Sequence, residues 1–114
     1  MPKLAMDAVR RSNRFRVIMN LPLRIGLKSG TLVDISSAGI LATHSGVLQT
    51  GALVDISFQN GNDKFASKAR VASCTVVGLG AGEAGATLYA SRLFFTDLSA
   101  ESRQIIETLV GNES

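Results

Sequence analysis

Between residues 21 and 90 the apolar side chains recur at every second position and are interrupted by short turn signals, a pattern that restricts the chain to a β architecture. Leu21, Leu23, Ile25 and Leu27 alternate with Pro22, Arg24, Gly26 and Lys28, as in a half-buried strand. Lys28-Ser29-Gly30 reads as the turn after it, followed by a strand through Thr31 to Ile35 and, past Gly39, another over residues 40–43. Residues 46–51 read as loop. Val54, Ile56 and Phe58 form the inner face of a further strand, and Asn60-Gly61-Asn62-Asp63 is a strong hairpin signal. A long strand over residues 64–77, a glycine-rich loop over 78–85 and a short strand over 86–90 complete the set. Six strands joined by tight turns, with no helices between them, predict a mainly β fold: a small antiparallel β-barrel.

The chain then changes period. Ile105, Ile106, Leu109 and Val110 fall on one helical stripe, Ser99 suits the N-cap, Glu101 lies in the first turn, and Gly111 stops the helix. This C-terminal helix is expected to pack over one end of the barrel. At the other terminus, residues 1–16 read as a flexible basic arm, in which Met6 to Arg14 can form a short helical turn or run extended, with Arg10 and Arg14 on one side in either case. Residues 17–114 read as barrel plus helix, so the 114 residues make one domain. Residues 1–33 hold seven Lys or Arg against a single acid, Asp7, whereas the remainder holds five bases against eight acids. An asymmetry of this kind implies an anionic partner for the arm.

The stretch from Thr31 to Leu41 carries the chemistry. Val33 and Ile35 are expected on one face of its strand, Asp34 and Ser36 together on the other. Gly39 comes next, where a positive φ or a close backbone approach is permitted. A carboxylate and a hydroxyl side by side at a strand end can hold a polar planar group, although an ordinary Asp/Ser turn uses the same residues. Upstream, Arg10-Arg11-Ser12-Asn13-Arg14 contains Arg-x-x-x-Arg, about twenty residues before Asp34. Two guanidinium groups four residues apart can converge on one ligand, forking onto phosphate or a guanine edge.

Arg-x-x-x-Arg followed by Asp-x-Ser-x-x-Gly resembles the PilZ family, the bacterial receptor domains for cyclic di-GMP. The resemblance covers nearly the whole chain and implies the same barrel. It implies that Arg10 and Arg14 grip the phosphates and guanines, that Asp34 reads a guanine edge, that Ser36 adds ligand or structural contacts, and that Gly39 shapes the turn. A frame ending at Arg16 would place Ser12 at the first arginine position and break the motif, so Arg10 and Arg14 are the expected pair, with Arg11 and Arg16 as further candidates. The expected function is that of a cyclic di-GMP receptor, the alternatives being a PilZ-like interaction module that no longer binds ligand and a small basic barrel that binds nucleic acid. The receptor's arm orders on binding and presents a new surface to a downstream protein, in control of motility or biofilm, with the ligand bound singly or as an intercalated dimer.

Other classes find little support. Gly80-Ala81-Gly82-Glu83-Ala84-Gly85 matches G-x-G-x-x-G, but the adjoining Ala86-Thr87-Leu88-Tyr89 is too short and strand-like for the helix of a dinucleotide fold. His44, the single histidine, is expected at the surface or a strand end. Cys74, the single cysteine, is expected as a small core residue. Neither a metal site nor a catalytic constellation is expected, so the chain reads as a non-enzyme with no cofactor beyond its ligand. With no Trp and one Tyr it lacks stacking platforms for single strands, which makes nucleic acid an unfavoured partner. No apolar run suits a leader or a membrane span, and a cytoplasmic location is expected.

Overall fold

The computed structural model describes residues 17–80 and 83–111. The basic arm, with the segment from Met6 to Arg14, lies outside these residues. Six antiparallel strands close into a barrel in the order β1-β2-β3-β6-β5-β4. They are β1 (Val17–Ile25), β2 (Lys28–Ile35), β3 (Gly39–Ser45), β4 (Leu53–Asn60), β5 (Asp63–Gly78) and β6 (Leu88–Phe95), followed by helix α1 (Ala100–Gly111). The architecture matches the sequence expectation. Inward residues of all six strands form one core, among them Leu23, Leu32, Ala42, Ile56, Phe65 and Leu93, each at most 2% exposed.

Several boundaries differ from the sequence expectation. The β1–β2 turn is Gly26-Leu27, with Ile25 paired to Lys28 and Gly26 at φ +60°. Leu27 is therefore 95% exposed and not part of a buried face. A two-residue hairpin loop demands a positive φ, and glycine supplies it. Lys28-Ser29-Gly30 belongs to β2. Gly30 is glycine because a Cβ there would lie 2.5 Å from the Thr43 carbonyl oxygen on β3. Pro22 sits where β1 is paired only on its β2 side, since β4 meets β1 at Arg24 and Ile25 alone. The last strand begins at Leu88 and runs on to Phe95, beyond the expected residue 90.

β2 breaks strict alternation. Two residues of β1, Met19 and Asn20, stand against Val33, and on the other side β3 skips Val33 as well, with Leu32 opposite Ala42 and Asp34 opposite Leu41. Asn20 adopts φ +52°, a conformation asparagine tolerates better than most residues. The extra residue turns Leu32 and Ile35, three apart, both into the core at 0% exposure. The inward partner of Ile35 is thus Leu32 and not Val33.

His44 stands at the end of β3, one of the two placements expected, but it is not at the surface: it is only 2% exposed inside the barrel. The Gly46 carbonyl can only accept, so Nδ1 donates to it at 2.9 Å, and Nε2 then accepts from the Ser91 hydroxyl at 2.7 Å. The ring also stacks on Tyr89. Cys74 is partly buried against the core, as expected, and its Sγ receives the Leu48 amide. α1 begins as the sequence predicted: the Ser99 hydroxyl accepts from the Ser102 amide at 3.1 Å. Ser102 donates to the Ala66 carbonyl at 2.7 Å, and Ile106 enters the core at 2% exposure, fixing the helix on β5.

Gly30→Ala is expected to destabilise the domain by about 1–3 kcal/mol, since the added methyl forces β2 and β3 apart. A thermal melt should show the loss, while Leu27→Ser at the exposed turn should stay within about 0.5 kcal/mol of the parent.

Candidate functional site

The bulge at Val33 decides where the candidate carboxylate lies. With Leu32 and Ile35 inside, Asp34 is on the outer wall, in register with the exposed Ile18 on β1 and with Leu41 on β3. Ser36 lies on the same side. Both are buried although they face outward, at 5% and 8% exposure. Asp34 is not without an interaction partner in the fold.

Ser36 has a structural task. Its amide donates to the Gly39 carbonyl at 2.9 Å, and its hydroxyl accepts from the Ala38 amide at 3.3 Å. This local bonding ties the β2–β3 turn shut and holds Asp34 at its base. The Ala38 carbonyl in turn accepts from the Phe95 amide at 3.0 Å, which locks the turn onto β6.

Of the two expectations for Gly39, the positive φ is not met, because the residue does not lie in the left-handed region, whereas the close approach of backbone is. A Cβ at this position would collide with the Leu93 carbonyl and press on the Phe94 Cα at 3.0 Å. The close approach of backbone is what the position demands.

These residues border a cavity of about 50 Å³ on the outer wall, lined by Asp34, Ser36, Ala38 and Gly39 from the turn and by Arg92 and Phe94 from β6. It is far smaller than the roughly 300 Å³ or more of an enclosed ligand pocket. Three larger hollows lie elsewhere, about 540 Å³ between the β4–β5 turn and α1, about 470 Å³ at the β1–β4 seam and about 320 Å³ beside Gly30 and His44, and none contains an expected site residue. The structure therefore brings Asp34, Ser36 and Gly39 together, while Arg10, Arg11, Arg14 and Arg16 lie outside the described residues.

Arg92 and Phe94 were not among the sequence candidates. A signal existed: Tyr89, Ser91, Leu93 and Phe95 alternate with Ala90, Arg92 and Phe94, which extends β6 past residue 90 and turns Arg92 and Phe94 outward. Arg70 faces outward beside Phe94 but donates from Nη1 to the Gly51 carbonyl at 2.8 Å, an engagement with the β3–β4 loop. Among the described residues no cluster of His, Cys, Asp or Glu could hold a metal ion, and no helix is long and apolar enough to cross a membrane.

If Gly39 serves the β3–β6 contact, Gly39→Ala should lower stability in ligand-free protein by about 1–3 kcal/mol, measured by denaturant unfolding. Unchanged ligand-free stability would move its role to the ligand.

Comparison with known proteins bears on the family and the fold. A profile of the PilZ domain family matches residues 8–112, a span that takes in both the arginine-rich segment and the Asp34–Gly39 turn. No curated protein shows significant similarity to the chain. Among solved structures, the chain is similar to the inhibitor of motility MotI/DgrA from Bacillus subtilis, with a TM-score of 0.67 and 14% identity. The match covers 86% of this chain and 48% of that one, so this chain spans about half of its length. At that identity the likeness concerns the fold. With its closed six-stranded barrel, its C-terminal helix and a family match over nearly its whole length, the chain belongs to the PilZ domain family.

Proposed function

We propose that this protein is a cyclic di-GMP receptor that binds its ligand between the N-terminal arginines and the outer wall of the barrel at the β2–β3 turn. The observation that carries this reading is the placement of Asp34: a carboxylate 5% exposed, facing outward at the edge of a small cavity, beside a turn whose geometry Ser36 and Gly39 maintain. A carboxylate so placed accepts from the N1–H and N2–H of a guanine, a bidentate match that adenine cannot offer. Arg10 and Arg14, with Arg11 beside them, supply guanidinium forks for the two phosphates and for guanine N7 and O6.

In this reading Asp34 and the arginines act from opposite sides of the ligand. Binding brings the arm against the barrel, and the ligand's differential affinity for that arrangement is what shifts the population. The combined surface is then available to a downstream protein, and the domain acts as a regulatory module without chemistry of its own. Membership in a family of cyclic di-GMP receptor domains supports the ligand, and the fold shared with an inhibitor of motility supports a role in motility or surface behaviour.

Isothermal titration of cyclic di-GMP tests the reading. The unaltered protein should bind, and Arg10→Ala/Arg14→Ala should lose at least about a hundredfold in affinity if two charge-assisted contacts disappear at about 1.5–3 kcal/mol each. Asp34→Asn should weaken cyclic di-GMP by tenfold or so, since one acceptor becomes a donor. Retention of full affinity in the double arginine variant would move the contacts to Arg11 and Arg16. Absence of heat with the unaltered protein would refute the receptor assignment.

A further inference from the structure

We propose that Phe94 on β6 is the stacking platform for the second purine of the ligand, with Arg92 positioned to meet the phosphate between the two purines. This inference rests on the receptor reading above and extends its site from the β2–β3 turn across to β6.

The other described aromatic rings are occupied within the fold. Phe58 stacks on Phe65, Phe65 meets Phe95, and Tyr89 stacks on His44. Phe94 alone is left at 50% exposure, on the outer wall, at the border of the cavity that holds Asp34. A lone exposed apolar side chain is ordinary, and its exposure would carry no argument by itself. Its position does. Gly39 stands opposite it on β3 and Arg70 on β5, so the ring rises from a strand whose β3 neighbour has no side chain beside it.

Arg92 supplies the second observation. It faces the same way two residues earlier, borders the same cavity and takes no ion-pair partner among the described residues. Pairing runs from Asp34 to Leu41 and from Leu41 to Arg92, so the three face outward side by side across β2, β3 and β6. At about 4.8 Å per strand, Arg92 lies about 10 Å across the wall from Asp34, and Phe94 a further 7 Å or so along β6. Carboxylate, guanidinium and aromatic face thus succeed one another in the sequence of a guanine edge, a phosphate and a second base. A guanidinium forks onto the phosphate, and any purine offers a π-face to the ring.

The chain contains no Trp, so Phe94→Trp places a single indole fluorophore at the platform. Cyclic di-GMP is titrated by calorimetry into the unaltered protein, Phe94→Leu and Phe94→Trp, with emission followed in the last and thermal melts confirming that each variant is folded. Phe94→Leu keeps the apolar bulk but loses the π-face, and its affinity should fall at least about tenfold. Phe94→Trp should bind within about threefold of the unaltered protein, consistent with retained stacking, and its emission should change saturably at the calorimetric Kd. Binding by Phe94→Leu equal to that of the unaltered protein, or flat emission from ligand-saturated Phe94→Trp, overturns the platform while leaving the receptor reading intact. No binding by the unaltered protein overturns the receptor reading, and the platform with it.

Discussion

The outer face of this barrel depends on one packing irregularity, the bulge shared by β1, β2 and β3 around Val33. A strand has a period of two, so one additional residue exchanges inside for outside along the rest of the strand. Without it, Leu32 and Ile35 could not both be buried, and either the core would lose a large apolar side chain or Asp34 would point inward. A carboxylate inside an apolar barrel would be prohibitively costly without partners. Burial of Leu32 and Ile35 thus sets the direction of Asp34, and core packing positions the chemistry on the surface. Asn20, with its positive φ on β1, is the local accommodation that allows β1 to take the same kink.

A second constraint is the close contact of β3 with β6. Gly39 lets the Leu93 carbonyl approach, Ser36 closes the turn, and the Ala38 carbonyl bonds the Phe95 amide. These interactions make the turn rigid and place β6 next to Asp34. The motif residues Ser36 and Gly39 therefore have structural tasks that exist before any ligand arrives. Rigidity of this kind is what a recognition site needs, because a preorganised carboxylate need not be ordered at the moment of binding.

The interior polar pair, His44 with Ser91, illustrates the same economy at the other end of the barrel. The Gly46 carbonyl fixes which ring nitrogen carries the proton, and that leaves Nε2 to receive the Ser91 hydroxyl. Every buried polar atom of the pair is satisfied, so the histidine packs beside Tyr89 as part of the wall. From the sequence it read as a surface or strand-end residue; the strand end was right, but its burial was not legible, because polarity was the only local evidence and its partner lies forty-seven positions away.

Alternation of apolar residues, turn chemistry at Asn60–Asp63 and the capped stripe from Ser99 to Gly111 were enough to determine a six-stranded barrel with a C-terminal helix, since each is a local property of backbone and burial. The Asp34–Gly39 motif was equally legible, and with the arginine segment it pointed to the family. Tertiary structure alone decided the rest. The true hairpin at Gly26-Leu27 was obscured because Leu27 continued the apolar alternation, and only pairing of Ile25 with Lys28 shows where the chain reverses. The phase of Val33 depends on neighbouring strands, the necessity of Gly30 and Gly39 depends on carbonyls many residues away, and the approach of Arg92 and Phe94 to Asp34 depends on barrel order. The physical reason is common to all of these: a strand's periodicity is written along the chain, whereas its register is set by strands that arrive from elsewhere in it.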